Sequence, residues 1–394
     1  MATTTSLHIP VQRAYPSRLH EVDWEVLEFG KYFTDHMLIC DFADGQWQDP
    51  QIIPFGDFRL SPVSLALHYG QTIFEGMKAF RMDDGSINIF RPDKHYERMS
   101  LSCERMCMPV VPREVFIEGL HQLVSLDRNW VPGEEGSALY LRPFMIATEA
   151  RLRVKVSDAY RFAIVASPTG KYFQQPVRVK VERDFVRAAR GGTGYAKCGG
   201  NYGASMYPTQ KAKEEGYDQV LWTDADTHRH IEESGAMNVF FVLDGTLVTP
   251  PLSDSKRAAN GGSSEGQTSL PCGNWTTLPG QANSRTILDG VTRDSLLKLA
   301  RRKGIPTAER PVDVEELKEA FKKGNISEAF GAGTAAVISP IGVIGIDGKN
   351  YALPTPGTGS AGSTGSIGAQ LKNALDNIRY GREPDTEEWN FIVK

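Results

Sequence analysis

Lys197 stands in the stretch GYAKCGGNYG, residues 194–203, among four glycines and just ahead of an Asn201-Tyr202 pair. A surface lysine has no need of such a setting. An amine that must meet a flat ring does, because glycine removes the Cβ that would keep the backbone at a distance. A lysine so held is a candidate nucleophile and proton carrier. An ordinary turn gives the same local pattern, so the rest of the chain has to supply the ring's other contacts. An anionic aromatic partner needs backbone N–H groups at a helix start, hydroxyls and an arginine. Leu288-Asp289-Gly290-Val291-Thr292 enters a predicted helix and offers such donors with the Thr292 hydroxyl. Gly331-Ala332-Gly333-Thr334 reads as a second turn of that kind. Each alone is more often structural than functional.

The elements that position these residues are mixed. HMLICDF, SINIFR, ALYLRPFMIATEA and YRFAIVAS have strand character, and Asp83-Asp84-Gly85 reads as a hairpin turn. PDKHYERMSLSCERM opens with a proline and an expected Asp93 cap and keeps helical spacing, as does REVFIEGLHQLVSL. Strands flanked by helices without regular βαβ alternation predict an α+β fold with antiparallel or mixed sheets. Turn-rich residues 168–178 divide a small N-terminal domain, 1–167, from a larger one, 179–394. ASMYPTQKAKEEG predicts a helix stopped by Gly216, and ILDGVTRDSLLKLARRKG a turn running into an amphipathic helix. Residues 256–286 and 355–365 are rich in small polar residues without period and read as a flexible insertion and a flexible loop.

At 394 residues the chain is long enough for two substantial cores. A net charge of -4 gives no case for nucleic acid or an anionic membrane surface. No run approaches the roughly 18 apolar residues of a membrane span. The five cysteines show no zinc spacing, and His228 and His230 lack a third ligand, so no metal is expected. The first residues show no apolar signal core, and the cytoplasm is the expected location.

Taken in order, LHYGQTIFEGMKAFR, FRPDKHYERM, LYLRPFMIATEARLRV, KCGGNYG, IEESGAMNVFF, ILDGVTRDSL and FGAGTAA resemble the branched-chain amino acid aminotransferases, pyridoxal-phosphate enzymes of fold type IV. The likeness runs from about Trp24 to the C-terminus. It implies a two-domain fold whose larger domain binds pyridoxal 5'-phosphate, and transamination of Leu, Ile and Val with 2-oxoglutarate. By the resemblance, Lys197 is the catalytic lysine and covalent partner of the cofactor aldehyde. Tyr202 faces the ring oxygen and Glu233 the pyridine nitrogen, with Glu232 the rival for that place. Arg98, Leu288, Gly290, Val291, Thr292 and Thr334 complete the cofactor set. Tyr69, Phe74, Tyr140, Arg142, Tyr172, Ala335 and Ala336 match the substrate side, and Arg142 is the means of accepting glutamate's second carboxylate. Leu152 and Val154 match a loop reaching a neighbouring subunit, which implies a homodimer. Segment 256–286 departs from the family as an insertion. The alternatives are a D-amino acid aminotransferase, an aminodeoxychorismate lyase, or a non-catalytic binding protein on the same fold.

Overall fold

The computed structural model describes residues 7–170, 175–252, 285–354 and 365–394. Tyr172, nearly all of the expected insertion (256–284) and of the expected loop (355–364) lie outside the described residues.

The chain divides into two compact units, one of Met1–Tyr172, Ala196–Gly200 and Asp376–Lys394, the other of Phe173–Tyr195 and Asn201–Leu375. Residues 196–200 and 376–394, which a single boundary near 168–178 assigns to the second domain, thus belong with the first unit. The reason is long-range pairing: strand Asn390–Val393 lies antiparallel to Ile87–Phe90. A local pattern cannot announce a partner so distant in the chain.

In the first unit the described residues form a nine-stranded sheet. Its path runs Asn390–Val393, Ile87–Phe90, Met77–Arg81, Ala138–Ala147, Tyr160–Thr169, His36–Ala43, Gln46–Trp47. Helix Arg113–Leu126 buries Phe116, Leu120 and Leu123 in one core with Leu38 and Ile164 of the sheet. Each such side chain stabilises the fold by about 1.5–3 kcal/mol. The Met77–Arg81 and Ile87–Phe90 strands join through the expected hairpin turn, with Gly85 at φ 82°.

In the second unit a closed ring of strands forms, in order Ile231–Ser234, Gln219–Thr223, Val177–Val181, Val337–Ile346, Ile326–Gly333, Met237–Leu243 and back to the first. Full closure removes the exposed sheet edges that an open sheet must protect. The ring is filled by apolar side chains such as Val179, Leu221, Val239, Phe241 and Ile344. Helices Val291–Arg302 and Val314–Lys323 belong to this unit; Asp313 caps the latter by accepting from the Glu315 N–H. The architecture is thus α+β with one open and one closed sheet, as expected from the mixed pattern. Among the described residues no helix is long and apolar enough to cross a membrane.

Candidate active site

In the first unit the chemistry gathers on one helix and one strand end. Helix Pro92–Arg105 starts at a proline, and Arg91 (φ 53°) rather than Asp93 holds the cap position. Its inner face carries His95, Arg98, Met99, Ser102 and Cys103, all buried at i, i+3, i+4 spacing. Arg98 on a mostly polar helix is therefore an interior cation. Its guanidinium grips Glu75, with Nε 2.7 Å from one carboxylate oxygen and Nη2 2.8 Å from the other. His95 Nδ1 lies 2.7 Å from the second oxygen. Burial alone would raise the Glu75 carboxyl, but Arg98 and His95 overcome it and hold it well below the usual carboxylate range. Burial lowers His95 against the pull of Glu75.

Lys197 is fixed by its backbone. Its N–H donates to Ser102 Oγ at 3.0 Å, and its carbonyl accepts the Phe74 N–H at 3.0 Å. Its amine lies 4.9 Å from the Phe74 ring centre. The glycine-rich stretch after it is no loop: it is the first turn of helix Gly199–Glu214. Gly199 is required there because any Cβ would overlap the Thr72 hydroxyl, whereas Gly200 and Gly203 face open space.

Of the residues expected on the substrate side, Tyr140 and Arg142 lie near Phe74. Tyr140 is buried, and Gly76 passes so close to its hydroxyl that an added Cβ would overlap it. Arg142 donates from Nη2 to Tyr140 Oη at 3.0 Å and lies 4.6 Å from the Phe74 ring centre. Its Nε is buried and makes no hydrogen bond to the protein. Tyr69 ends the short helix Leu65–Tyr69 and is partly exposed. Leu152 and Val154 are 64% and 80% exposed, in a segment without regular structure.

In the second unit Glu233 is the hub. It is 3% exposed, pairs across strands with Asn238, and accepts the Leu288 N–H at 2.9 Å and Asn238 Nδ2 at 3.3 Å. Arg187 Nε lies 2.8 Å from its other oxygen, and Arg187 Nη2 also donates to the carbonyls of Gly194 and Thr286. Asn238 pairs in turn with Ala332. The small-residue motif is thus a strand end, Ile326–Gly333, followed by the turn Thr334-Ala335-Ala336, and not the turn at a helix start expected from the glycines. Val337 closes that turn at φ 62°, a strained setting for a β-branched residue. Gly290 precedes helix Val291–Arg302 and gives its start no side-chain cap, and Thr292 is buried in the first turn. Tyr202 is half-buried in the first turn of its helix.

Glu232 is also buried, 7% exposed. Burial pushes its carboxyl up to about 7, against the Thr286 hydroxyl and the Arg187 guanidinium, with Glu233 and Asp224 adding to the rise. The folded chain therefore keeps a proton that the unfolded chain, near the ordinary 4.5, has released. Stability from this group is present below about pH 4.5 and is lost as pH rises toward 7 and beyond. Glu232→Gln cannot ionise, so it is expected to gain about 2–3 kcal/mol on the parent between pH 5 and pH 8. Denaturant unfolding of both proteins at the two pH values measures this, and a pH-independent difference contradicts it.

Glu75, His95, Ser102, Arg187 and Asn238 were not singled out from sequence. Only His95, Arg98 and Ser102 left a signal, polar residues repeating on the apolar face of one helix. Each unit holds groups of the kind an anionic aromatic ligand uses: an interior arginine in the first, and in the second an uncapped helix start, the buried Thr292 hydroxyl and the buried Glu233 carboxylate.

The profile of the amino-transferase class IV family matches residues 72–256. Branched-chain-amino-acid transaminase 1 of Bacillus subtilis (strain 168) is 42% identical over 372 residues, 93% of this chain and 94% of that protein. The branched-chain aminotransferase of Thermoproteus uzoniensis, solved with norvaline, superposes with a TM-score of 0.66 at 25% identity, covering 91% of this chain and all of that one. The branched-chain amino acid aminotransferase of Thermobaculum terrenum, solved in its PLP form, gives 0.66 at 21% identity, over 91% and 98% of the two chains.

Proposed function

The chain belongs to the branched-chain amino acid aminotransferases of class IV, and from that premise we propose its reaction. It transfers the amino group of L-Leu, L-Ile and L-Val to 2-oxoglutarate, giving the branched-chain 2-oxo acids and glutamate, with pyridoxal 5'-phosphate as cofactor. The near full-length likeness to a transaminase of this specificity carries the reading.

Pyridoxal phosphate, when bound, supplies the electron sink that stabilises negative charge at the substrate Cα. The chain's residues do the rest. Arg98, the backbone at Leu288, Gly290 and Val291, and the hydroxyls of Thr292 and Thr334 would hold the phosphate. Glu233 would face the ring nitrogen and favour its protonated form, and Tyr202 would donate to the ring oxygen. Lys197 Nζ would be the base that takes the proton from the substrate Cα and holds it for return at the end of the transfer. Phe74 and Tyr140 give the substrate side chain an apolar wall, which favours Leu, Ile and Val over polar amino acids. Arg142, with its buried Nε, accepts the second carboxylate of glutamate in the same place. Tyr69, Ala335 and Ala336 complete the substrate set. A cytoplasmic homodimer belongs to the same proposal, because exposed Leu152 and Val154 are apolar side chains that a partner's surface would cover. Analytical ultracentrifugation reads the assembly.

An amino-donor screen tests the reaction. L-Leu, L-Ile, L-Val and D-Ala are each supplied with 2-oxoglutarate, and glutamate is measured. Glutamate forms from the three L-amino acids and stays at background with D-Ala; faster turnover of D-Ala than of L-Leu contradicts the proposal. Arg98→Ala is expected to raise the cofactor dissociation constant about 10- to 150-fold, the loss of one charged hydrogen-bonding group of roughly 1.5–3 kcal/mol. Fluorescence titration of the apoprotein measures it, and an unchanged constant removes Arg98 from the phosphate set.

A further inference from the structure

We propose that Glu75 is a positioning residue for the cofactor phosphate, holding the Nε–Nη2 side of the Arg98 guanidinium and so fixing the direction in which Arg98 meets the anion. The inference rests on Arg98 as a phosphate ligand and adds the group that aims it. A guanidinium has two edges that grip an oxyanion, the Nε–Nη2 side and the Nη1–Nη2 end. In Arg98 the side edge is spent on Glu75, at 2.7 and 2.8 Å. Glu75 in turn is fully buried and held by the His95 ring at 2.7 Å and the Gly76 N–H at 3.1 Å, while its own N–H donates to the Pro143 carbonyl at 2.7 Å. The carboxylate therefore has no freedom to turn, and neither has the arginine that grips it.

The charges agree with this role. Arg98 and His95 hold Glu75 well below the usual carboxylate range, so its negative charge offsets the positive charge of Arg98. Arg98 then acts on a phosphate by the direction of its hydrogen bonds more than by charge alone. The same stretch serves the lysine. The Phe74 N–H holds the Lys197 carbonyl, and Ser102 Oγ joins the Arg98 carbonyl (2.9 Å) to the Lys197 N–H (3.0 Å). Glu75 thus sits between the phosphate arginine and the segment that fixes the catalytic lysine.

The test compares pyridoxal phosphate with pyridoxal, which lacks the phosphate, binding to full-length apoprotein. In Glu75→Gln an amide replaces one oxygen and turns a donor toward the guanidinium. The expected result is about tenfold or greater weakening of pyridoxal phosphate with pyridoxal affinity kept within twofold. Arg98→Ala narrows the same ratio, and the double variant loses no more than Arg98→Ala alone. Equal weakening of both ligands in Glu75→Gln shows a merely structural role and overturns the proposal, as does full additivity in the double variant. Where Glu75→Gln does not fold, Glu75→Asp, which keeps the charge but shortens the reach, is read by the same ratio. If Arg98→Ala leaves the ratio unchanged, Arg98 is not a phosphate ligand, and the premise fails before Glu75 is reached.

Discussion

Lys197→Ala is expected to lower transamination by at least ~10³-fold, because one side chain carries both the covalent and the general-base role. The fold is expected to survive. The contacts that fix residue 197 are made by its backbone, to Ser102 and Phe74, and alanine keeps them. The amine's approach to the Phe74 ring is lost, which costs roughly 0.5–1 kcal/mol. Steady-state rates with L-Leu and a thermal melt of the same preparation measure both parts. A rate within tenfold of the parent contradicts the assignment.

Glu233→Gln is expected to slow turnover about 10²-fold, the scale of losing one preorganised electrostatic partner of the reacting group. In the proposed reaction a neutral amide would hold the ring-nitrogen proton poorly, while the phosphate ligands proposed above would keep the cofactor bound. The same change strips Arg187 of its buried counter-ion, and breaking such a pair costs about 3–5 kcal/mol. The variant is therefore expected to melt lower as well as work more slowly. Glu232→Gln serves as the control, since Glu232 meets the Thr286 hydroxyl and not Asn238 or Leu288. If Glu232→Gln is the slower enzyme, the ring nitrogen is faced by the wrong neighbour in this account.

Local features were readable from residue types. The hairpin at Asp83-Asp84-Gly85, the proline start of helix Pro92–Arg105 and the amphipathic helix from Val291 all follow from turn chemistry and periodicity. The ordered motifs, taken together, led to the family. Three things were hidden. The glycine cluster after Lys197 looked like loop, but glycine's tolerance for the Thr72 contact outweighs its low helix propensity. The Gly331–Gly333 run looked like a turn, yet cross-strand pairing with Val239 and Asn238 makes it the end of a strand. Glu75, His95 and Arg187 looked like ordinary charges. Their burial depends on partners 20 or more residues away, which no local period encodes.

The account stands on Lys197 as the residue that meets the cofactor. Purified protein loaded with pyridoxal phosphate should be yellow and bleach on treatment with borohydride, which makes the covalent attachment permanent. Proteolysis and mass spectrometry of the reduced protein then locate the attached group. The account predicts the pyridoxyl-phosphate mass on the peptide containing Lys197, and its loss from Lys197→Ala. Attachment to a different lysine, or a protein that stays colourless and unlabelled with cofactor in excess, would contradict it.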